Sequence, residues 1–395
     1  MLYIWPAFPI VIDAYITDSR RSGVTNIRAA LKRHDLVCRI NIWGVPNSLL
    51  NSAAMKKRFP ELNYLTLFSN EDNPSAIPDP FLGGSAPRLR SLEFRNIPFS
   101  FPALRKLLLS ATDLVTLCLL DIPSSGIISP DLIVTTLSRL TKLRKLSIGF
   151  RSPRSRADRE RRHPSLLKHF VLPSLTEFSF KGDSEYLEDI VGRINAPALD
   201  SVAITFFNQL VFDTPLLRDF FGRTELFQNP HRADVSVSKL GIEIKLFQLK
   251  GTGRHCILAV TISSRMEEWQ VSSLAEFCST SLPPLPTLEQ LLIYPEPYWG
   301  PGSPSGLESA PWLELLHSFV TVTTIFLSGR LLLYVAPALR ELTGDRVPEV
   351  LPVLQNVYVG RVRSSRPKQD AIAQFVSARR LSGHPVVIRH VENSR

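Results

Sequence analysis

FPELNYLTLF at 59–68 decides the fold. Its residues alternate. Leu65 and Leu67 face one way, and Tyr64, Thr66 and Phe68 face the other, which is the period of a strand with one buried side. The phrase recurs as APRLRSLEF at 86–94, LPSLTEFSF at 172–180, APALDSVAI at 196–204, LPTLEQLLI at 285–293 and LPVLQNVYV at 351–359. Without the proline it reads TDLVTLCL at 112–119 and TKLRKLSI at 141–148.

Anchoring each phrase on its first apolar residue gives Val37, Leu62, Leu89, Leu114, Leu143, Leu175 and Leu199, spaced 25, 27, 25, 29, 32 and 24 residues apart. Leucine-rich repeats run at roughly 20–29 residues. Later anchors are Leu288, Val322 and Leu354. Between Leu199 and Leu288 the phrase blurs, and ADVSV, LGIEI and LAVTI still alternate without a readable register.

Helical patterns separate the strands. Ser129-Pro130 and Thr214-Pro215 each pair a cap residue with a proline at the first helical position. Apolar stripes follow at Ile133, Leu137 and Leu140, at Leu217, Phe220 and Phe221, at Leu187, Ile190, Val191 and Ile194, and at Val271, Leu274 and Cys278, while Ile372, Phe375, Val376 and Arg379 lie on a last helix stopped by Gly383 and Pro385. One strand–helix unit cannot bury its apolar face alone, so neighbours must stack. The expected fold class is α/β: an irregular leucine-rich-repeat solenoid, a horseshoe with a concave parallel sheet and helices on the convex side. Its sheet is predicted to run continuously through Leu65, Leu92, Leu117, Leu146, Phe178, Val202, Leu291, Ile325 and Val357. The expected divisions are 1–36 as an N-terminal cap, 37–360 as the repeat array and 361–395 as a C-terminal helix and cap. Loop insertions are expected near 151–170 and 295–311.

The phrases FLGGSAPRL at 81–89, LLLSATDLVTLCL at 107–119, ISPDLIVTTLSRLTKLRKLSIGFRSPRSR at 128–156, FKGDSEYLEDIVGRINAPALDSVAITFFNQLVFDTP at 180–215 and APALRELTGDRVPEVLPVLQNVYV at 336–359 resemble a family of fungal F-box/leucine-rich-repeat proteins. The resemblance implies that the repeats hold a client for a cullin–RING ubiquitin ligase, which the family reaches through a Skp-type adaptor. It extends over the repeats only. Trp5-Pro6 follows Met1 almost at once, so adaptor docking is expected only if an F-box lies upstream. The alternative is a stand-alone scaffold or a relic of family expansion.

The candidate client surface is the outward side of the strands: Tyr64, Phe68, Glu93, Arg95, Lys145, Lys181, Tyr294 and Tyr358. Aromatic and arginine side chains dominate interface energetics. A basic stretch at 151–163 carries Arg151, Arg154, Arg156, Arg159, Arg161 and Arg162. It contains no aromatic on which a base could stack, and Asp158 and Glu160 offset part of its charge. It reads as a solvated loop, with nucleic-acid binding the least favoured function. The formal net charge of +10 is partly this local excess.

Enzyme signatures fail. GSPSG at 302–306 has Pro304 where a nucleophile would stand. KGTGR at 250–254 lacks the third glycine of a dinucleotide fingerprint. His255, Cys256 and Cys278 have no fourth metal ligand nearby. No catalytic residue, metal or cofactor is expected. Cys38, Cys118, Cys256 and Cys278 form no C-x-x-C pair, and no N-x-[ST] sequon occurs, so the expected location is intracellular, cytoplasmic or nuclear. The apolar run around 325–339 is broken by Arg330 and Pro337, so no membrane partner is expected.

Overall fold

The computed structural model describes residues 8–17, 21–126, 128–153, 169–264, 267–296, 310–329, 331–341, 349–360 and 366–391. They form two compact units. One is Met1–Gly182 with Asp189–Leu199; the other is Asp183–Glu188 with Asp200–Arg395.

The first unit is built on strands β1 (Ile10–Tyr15), β2 (Val37–Trp43), β3 (Tyr64–Phe68), β4 (Ser91–Arg95), β5 (Thr116–Ile122), β6 (Lys145–Phe150) and β8 (Glu177–Gly182). Each pairs in parallel with the next. Two-residue strands β7 (Phe170–Val171) and β9 (Ile194–Asn195) pair separately. The repeated phrase fixes the register. Ile40, Leu65, Leu92, Leu117, Leu146 and Phe178 are successive partners, and so are Ile42, Leu67, Phe94, Leu119, Ile148 and Phe180. All twelve are at most 2% exposed, so the two ladders are the core.

Short helices return the chain between strands. Phe101–Ser110 begins where Ser100 Oγ accepts the Ala103 N–H at 3.4 Å, and it buries Leu104, Leu107 and Leu108. At this length, packing of the apolar face holds a helix rather than propensity. Pro130–Leu137 starts after Ser129 as expected, but the Ser129 hydroxyl makes no capping bond. Leu140 is buried in the turn beyond that helix. Ile194, expected on a helical stripe with Ile190 and Val191, instead begins β9, because the helix ends at Val191.

The strand ends turn through left-handed backbone at Gly44 (φ +75°), Asn96 (φ 52°) and Asp121 (φ 50°). Asn96 holds the turn after β4 through its side chain. Its Nδ2 donates to the carbonyls of Ser69 at 3.0 Å and Glu71 at 3.1 Å.

The second unit corrects the expectation of a continuous parallel sheet. Its strands are β10 (Ser201–Phe207), β11 (Arg232–Ser238), β12 (Gly241–Lys250), β13 (Gly253–Ser263), β14 (Gln290–Pro295), β15 (Thr324–Leu327), β16 (Asn356–Gly360) and β17 (Val387–Val391). Their spatial order is β10, β13, β12, β11, β14, β15, β16, β17. An antiparallel meander, β11–β12–β13, thus separates β10 from β14. Val202 and Leu291 are not neighbours. The ladder runs from Val202 to Leu258, Leu246, Ala233, Leu291, Ile325 and Val357. Reversing strand direction leaves the buried face buried because side chains still alternate with period two. KGTGR makes the tight β12–β13 turn, with Gly251 at φ +62°.

Behind these strands Phe206, Phe212 and Phe277 form an aromatic cluster with centroids 5.2–5.9 Å apart. The last helix, Arg366–Leu381, ends as the sequence predicts: Gly383 takes φ +84° and the His384 N–H reaches back to the Arg379 carbonyl at 2.9 Å.

Candidate partner-binding faces

Alternate residues of the first unit's strands project outward in three rows. The row at the N-terminal ends of the strands holds Arg39, Tyr64, Ser91, Thr116, Lys145 and Glu177. The Arg39 guanidinium carbon lies 4.1 Å from the Tyr64 ring centroid. Lys145 Nζ meets Glu177 Oε2 at 2.8 Å, and this hydrogen bond raises the lysine pKa.

The middle row reads Asp13, Asn41, Thr66, Glu93, Cys118, Ser147 and Ser179. Thr66 is only 3% exposed although it alternates with the buried Leu65 and Leu67. Cys118 is likewise buried, and burial raises its thiol pKa.

The row at the C-terminal ends reads Tyr15, Trp43, Phe68, Arg95 and Leu120, and beyond a break in register between β5 and β6 it continues with Gly149, which lies beside the Leu120 side chain, and Lys181. Trp43 and Phe68 meet edge to face at 5.3 Å. Trp43 Nε1 donates to Asn41 Oδ1 at 3.1 Å, and Asn41 Nδ2 donates to Asp13 Oδ1 at 3.1 Å, which orients the indole. Arg95 pairs loosely with Glu93 at 3.7 Å, and Lys181 Nζ lies 3.1 Å from Asp121 Oδ1. Gly44 follows Trp43, and a Cβ there would collide with the Ile16 carbonyl, so the turn that places the indole requires glycine.

Of the residues singled out in the sequence, Phe68 and Arg95 are direct partners in one row. Lys181 shares that row on β8. Tyr64 and Lys145 share the opposite row, separated by β4 and β5. Glu93 lies beside Arg95 on the same strand. Sequence reasoning missed Arg39, Tyr15 and Trp43. Alternation of Arg39, Asn41 and Trp43 with Ile40 and Ile42 carries the signal.

In the second unit, Tyr358 belongs to a row running Lys245, Asp234, Leu292, Phe326, Tyr358 and Arg389. Phe326 and Arg389 were not foreseen. Tyr294 belongs to the adjacent row, opposite Ser236. Burial, with the carboxylate of Asp234 next in weight, raises the Tyr294 phenol pKa. Arg232 grips Asp234 with two bonds, Nε to Oδ1 at 2.5 Å and Nη2 to Oδ2 at 2.8 Å, and Lys245 Nζ meets Glu243 Oε2 at 2.6 Å. Arg232, Asp234, Lys245 and Glu243 are therefore matched in pairs, while Arg389 lies against Tyr358.

Of the basic stretch, Arg151 is exposed and donates to the Asp72 carbonyl at 3.3 Å and to Asn96 Oδ1 at 3.4 Å. Arg154, Arg156, Arg159, Arg161 and Arg162 lie outside the described residues, as does most of the insertion near 295–311. His255 Nε2 sits 2.9 Å from the Asp200 carbonyl, and Cys278 is buried in the helix Glu267–Thr280. Among the described residues no group of three or more His, Cys, Asp or Glu side chains is placed to hold a metal, and no helix is long and apolar enough to cross a membrane.

No family model matches the chain, and no curated protein matches it. Among solved structures it is similar to the leucine-rich repeat-containing protein LegL7 from Legionella pneumophila, at 15% identity and a TM-score of 0.31, over 85% of this chain and 94% of that one.

Proposed function

We propose that the chain is a protein-interaction module that holds a client on the outward strand faces of its units. The observation that carries this reading is the pair of aromatic contacts set at adjacent strand positions: Trp43 with Phe68, and Phe326 with Tyr358. Half-buried rings are already ordered, so a partner gains large contact area at small entropic cost. The proposed contact set is Tyr64, Phe68, Glu93, Arg95, Lys145, Lys181, Tyr294 and Tyr358, with Trp43 and Phe326 added.

The resemblance of the repeat phrases to F-box proteins supports a finer reading, recognition of a client for a ubiquitin ligase. The test is affinity capture from the native cell followed by cross-link mapping. Cross-links on the outward rows, lost on combined Phe68→Ala and Tyr358→Ala replacement, support the module. Cross-links confined to the helices sink it. Co-purification of a Skp-type adaptor supports the ligase reading, and a client captured without one leaves a stand-alone scaffold.

A further inference from the structure

We propose that the row at the C-terminal strand ends of the first unit docks an extended acidic peptide with an apolar anchor, lying across the strands from β1 towards β8. The proposal rests on the interaction-module reading and supplies the chemistry of the partner.

The row is divided by chemistry. Tyr15, Trp43 and Phe68 occupy adjacent strands at one end, with Tyr15 65% and Trp43 36% exposed. Arg95 and Lys181 occupy the other end, with exposed Arg151 just beyond β6. No carboxylate stands in this row. The nearest ones pair with these cations and are less exposed than they are: side-chain exposure is 37% for Arg95 against 26% for Glu93, and 42% for Lys181 against 35% for Asp121. The cations are thus the more accessible members of both pairs. Arg95 Nε is buried without a hydrogen-bond partner in the protein, so a carboxylate that turned the guanidinium outward would relieve a donor now left unsatisfied.

The dimensions fit a peptide. Strand spacing is about 4.8 Å, so the six steps from Tyr15 to Lys181 cover roughly 29 Å, the reach of about nine extended residues at roughly 3.3 Å each. A single-stranded nucleic acid also pairs aromatic and basic groups. It fits less well here. Trp43 meets Phe68 at 73° rather than offering parallel platforms.

The test titrates the purified chain with a fluorescent peptide of about ten residues, a Leu-Phe pair followed by Asp and Glu. A second peptide carries Lys and Arg in their place, and a third probe is an oligothymidylate of similar length. The expected result is binding of the acidic peptide, about tenfold or more tighter than the basic one. Phe68→Ala should weaken it, Arg95→Glu should cost about tenfold or more, and Arg95→Lys should retain most of it. Circular dichroism checks that each variant is folded, and Lys181→Glu offers a second charge reversal if Arg95→Glu is not. Equal binding of both peptides overturns the proposal, and so does Phe68-dependent binding of oligothymidylate. A phage-displayed random library separates the two levels. Phe68-dependent binders without acidic residues overturn the acidic class and leave the module reading standing. Absence of any Phe68-dependent binder overturns docking on this row, and the cross-link experiment then decides the module.

Discussion

The rings of Phe326 and Tyr358 lie face to face, with centroids 4.5 Å apart and planes 12° from parallel. They are direct partners on β15 and β16. Parallel strands sit about 4.8 Å apart, so the sheet spacing sets the stacking distance. Arg389 follows on β17, its guanidinium carbon 5.9 Å from the Tyr358 centroid. A stacked pair contributes about 0.5–1.5 kcal/mol beyond its burial. Tyr358→Ala is therefore expected to lower unfolding free energy by about 1 kcal/mol. Partner binding should fall by about 2 kcal/mol if the ring is a central anchor. Denaturation and partner capture measured on the same variant separate the two. Unchanged capture with lowered stability would make the stack purely structural.

A second prediction concerns a helix start. Thr214 occupies the cap position before Pro215–Arg223, but its hydroxyl faces Ser281 Oγ at 2.5 Å. Glu188, 6% exposed, takes over: its Oε1 accepts the Leu217 N–H at 2.6 Å and its Oε2 accepts the Leu216 N–H at 3.0 Å. A carboxylate there satisfies two orphan donors and opposes the positive end of the helix dipole. Glu188→Gln should cost about 1–2 kcal/mol by loss of charge. Amide exchange at Leu216 and Leu217 should accelerate. Unaltered exchange at both would show that the helix is capped by other means.

The Arg232–Asp234 pair gives the third. Its side chains are 14% and 9% exposed. Removing one member of a buried pair strands the other charge, at a cost of about 3–5 kcal/mol. Asp234→Ala should approach that figure. The double replacement Arg232→Met with Asp234→Ala should recover much of the loss, since no uncompensated charge remains. A double variant less stable than Asp234→Ala would mean that the arginine stem packs against Phe247, whose ring centroid is 5.8 Å from the guanidinium carbon, more than it pairs.

The buried ladders were legible because each phrase puts an aliphatic or aromatic residue at the same two positions. Leu117 and Leu146 are adjacent as predicted. The meander at 232–263 was not legible, because period-two alternation is the same for parallel and antiparallel neighbours. Only the turns tell them apart, and Lys239-Leu240 lacks the Asn-Gly type of hairpin signal. Gly251 in KGTGR carried that signal for the second turn. Ser129 and Thr214 stand at the cap positions as the sequence indicates, but neither hydroxyl makes a capping bond, and that of Thr214 meets Ser281 instead. For the candidate faces, alternation shows which residues project, but a row exists only once register is known. Trp43 beside Phe68 and Phe326 beside Tyr358 are products of register.

The last prediction is a pH dependence. Burial raises the thiol pKa of Cys118, Cys256 and Cys278, most strongly for Cys278 inside the helix Glu267–Thr280. A thiol raised in the folded state keeps its proton there after the unfolded chain has lost it. The native state then binds more protons than the unfolded state once the pH passes the free thiol's value of about 8.5. Stability must fall as pH rises from that point, by at most about 1.4 kcal/mol per pH unit for one such thiol. Below it the contribution is fully present. Cys278→Ala is expected to be somewhat less stable at neutral pH through its lost volume, yet to lose less on going to alkaline pH, so the two curves converge. Maleimide labelling of the native protein should reach Cys38 and Cys256, which are half-buried, before Cys118 and Cys278, which are 5% exposed. Prompt labelling of Cys278 under native conditions, or parallel alkaline curves for the two proteins, would show that the helix opens locally and that its interior is not the dry environment its packing indicates.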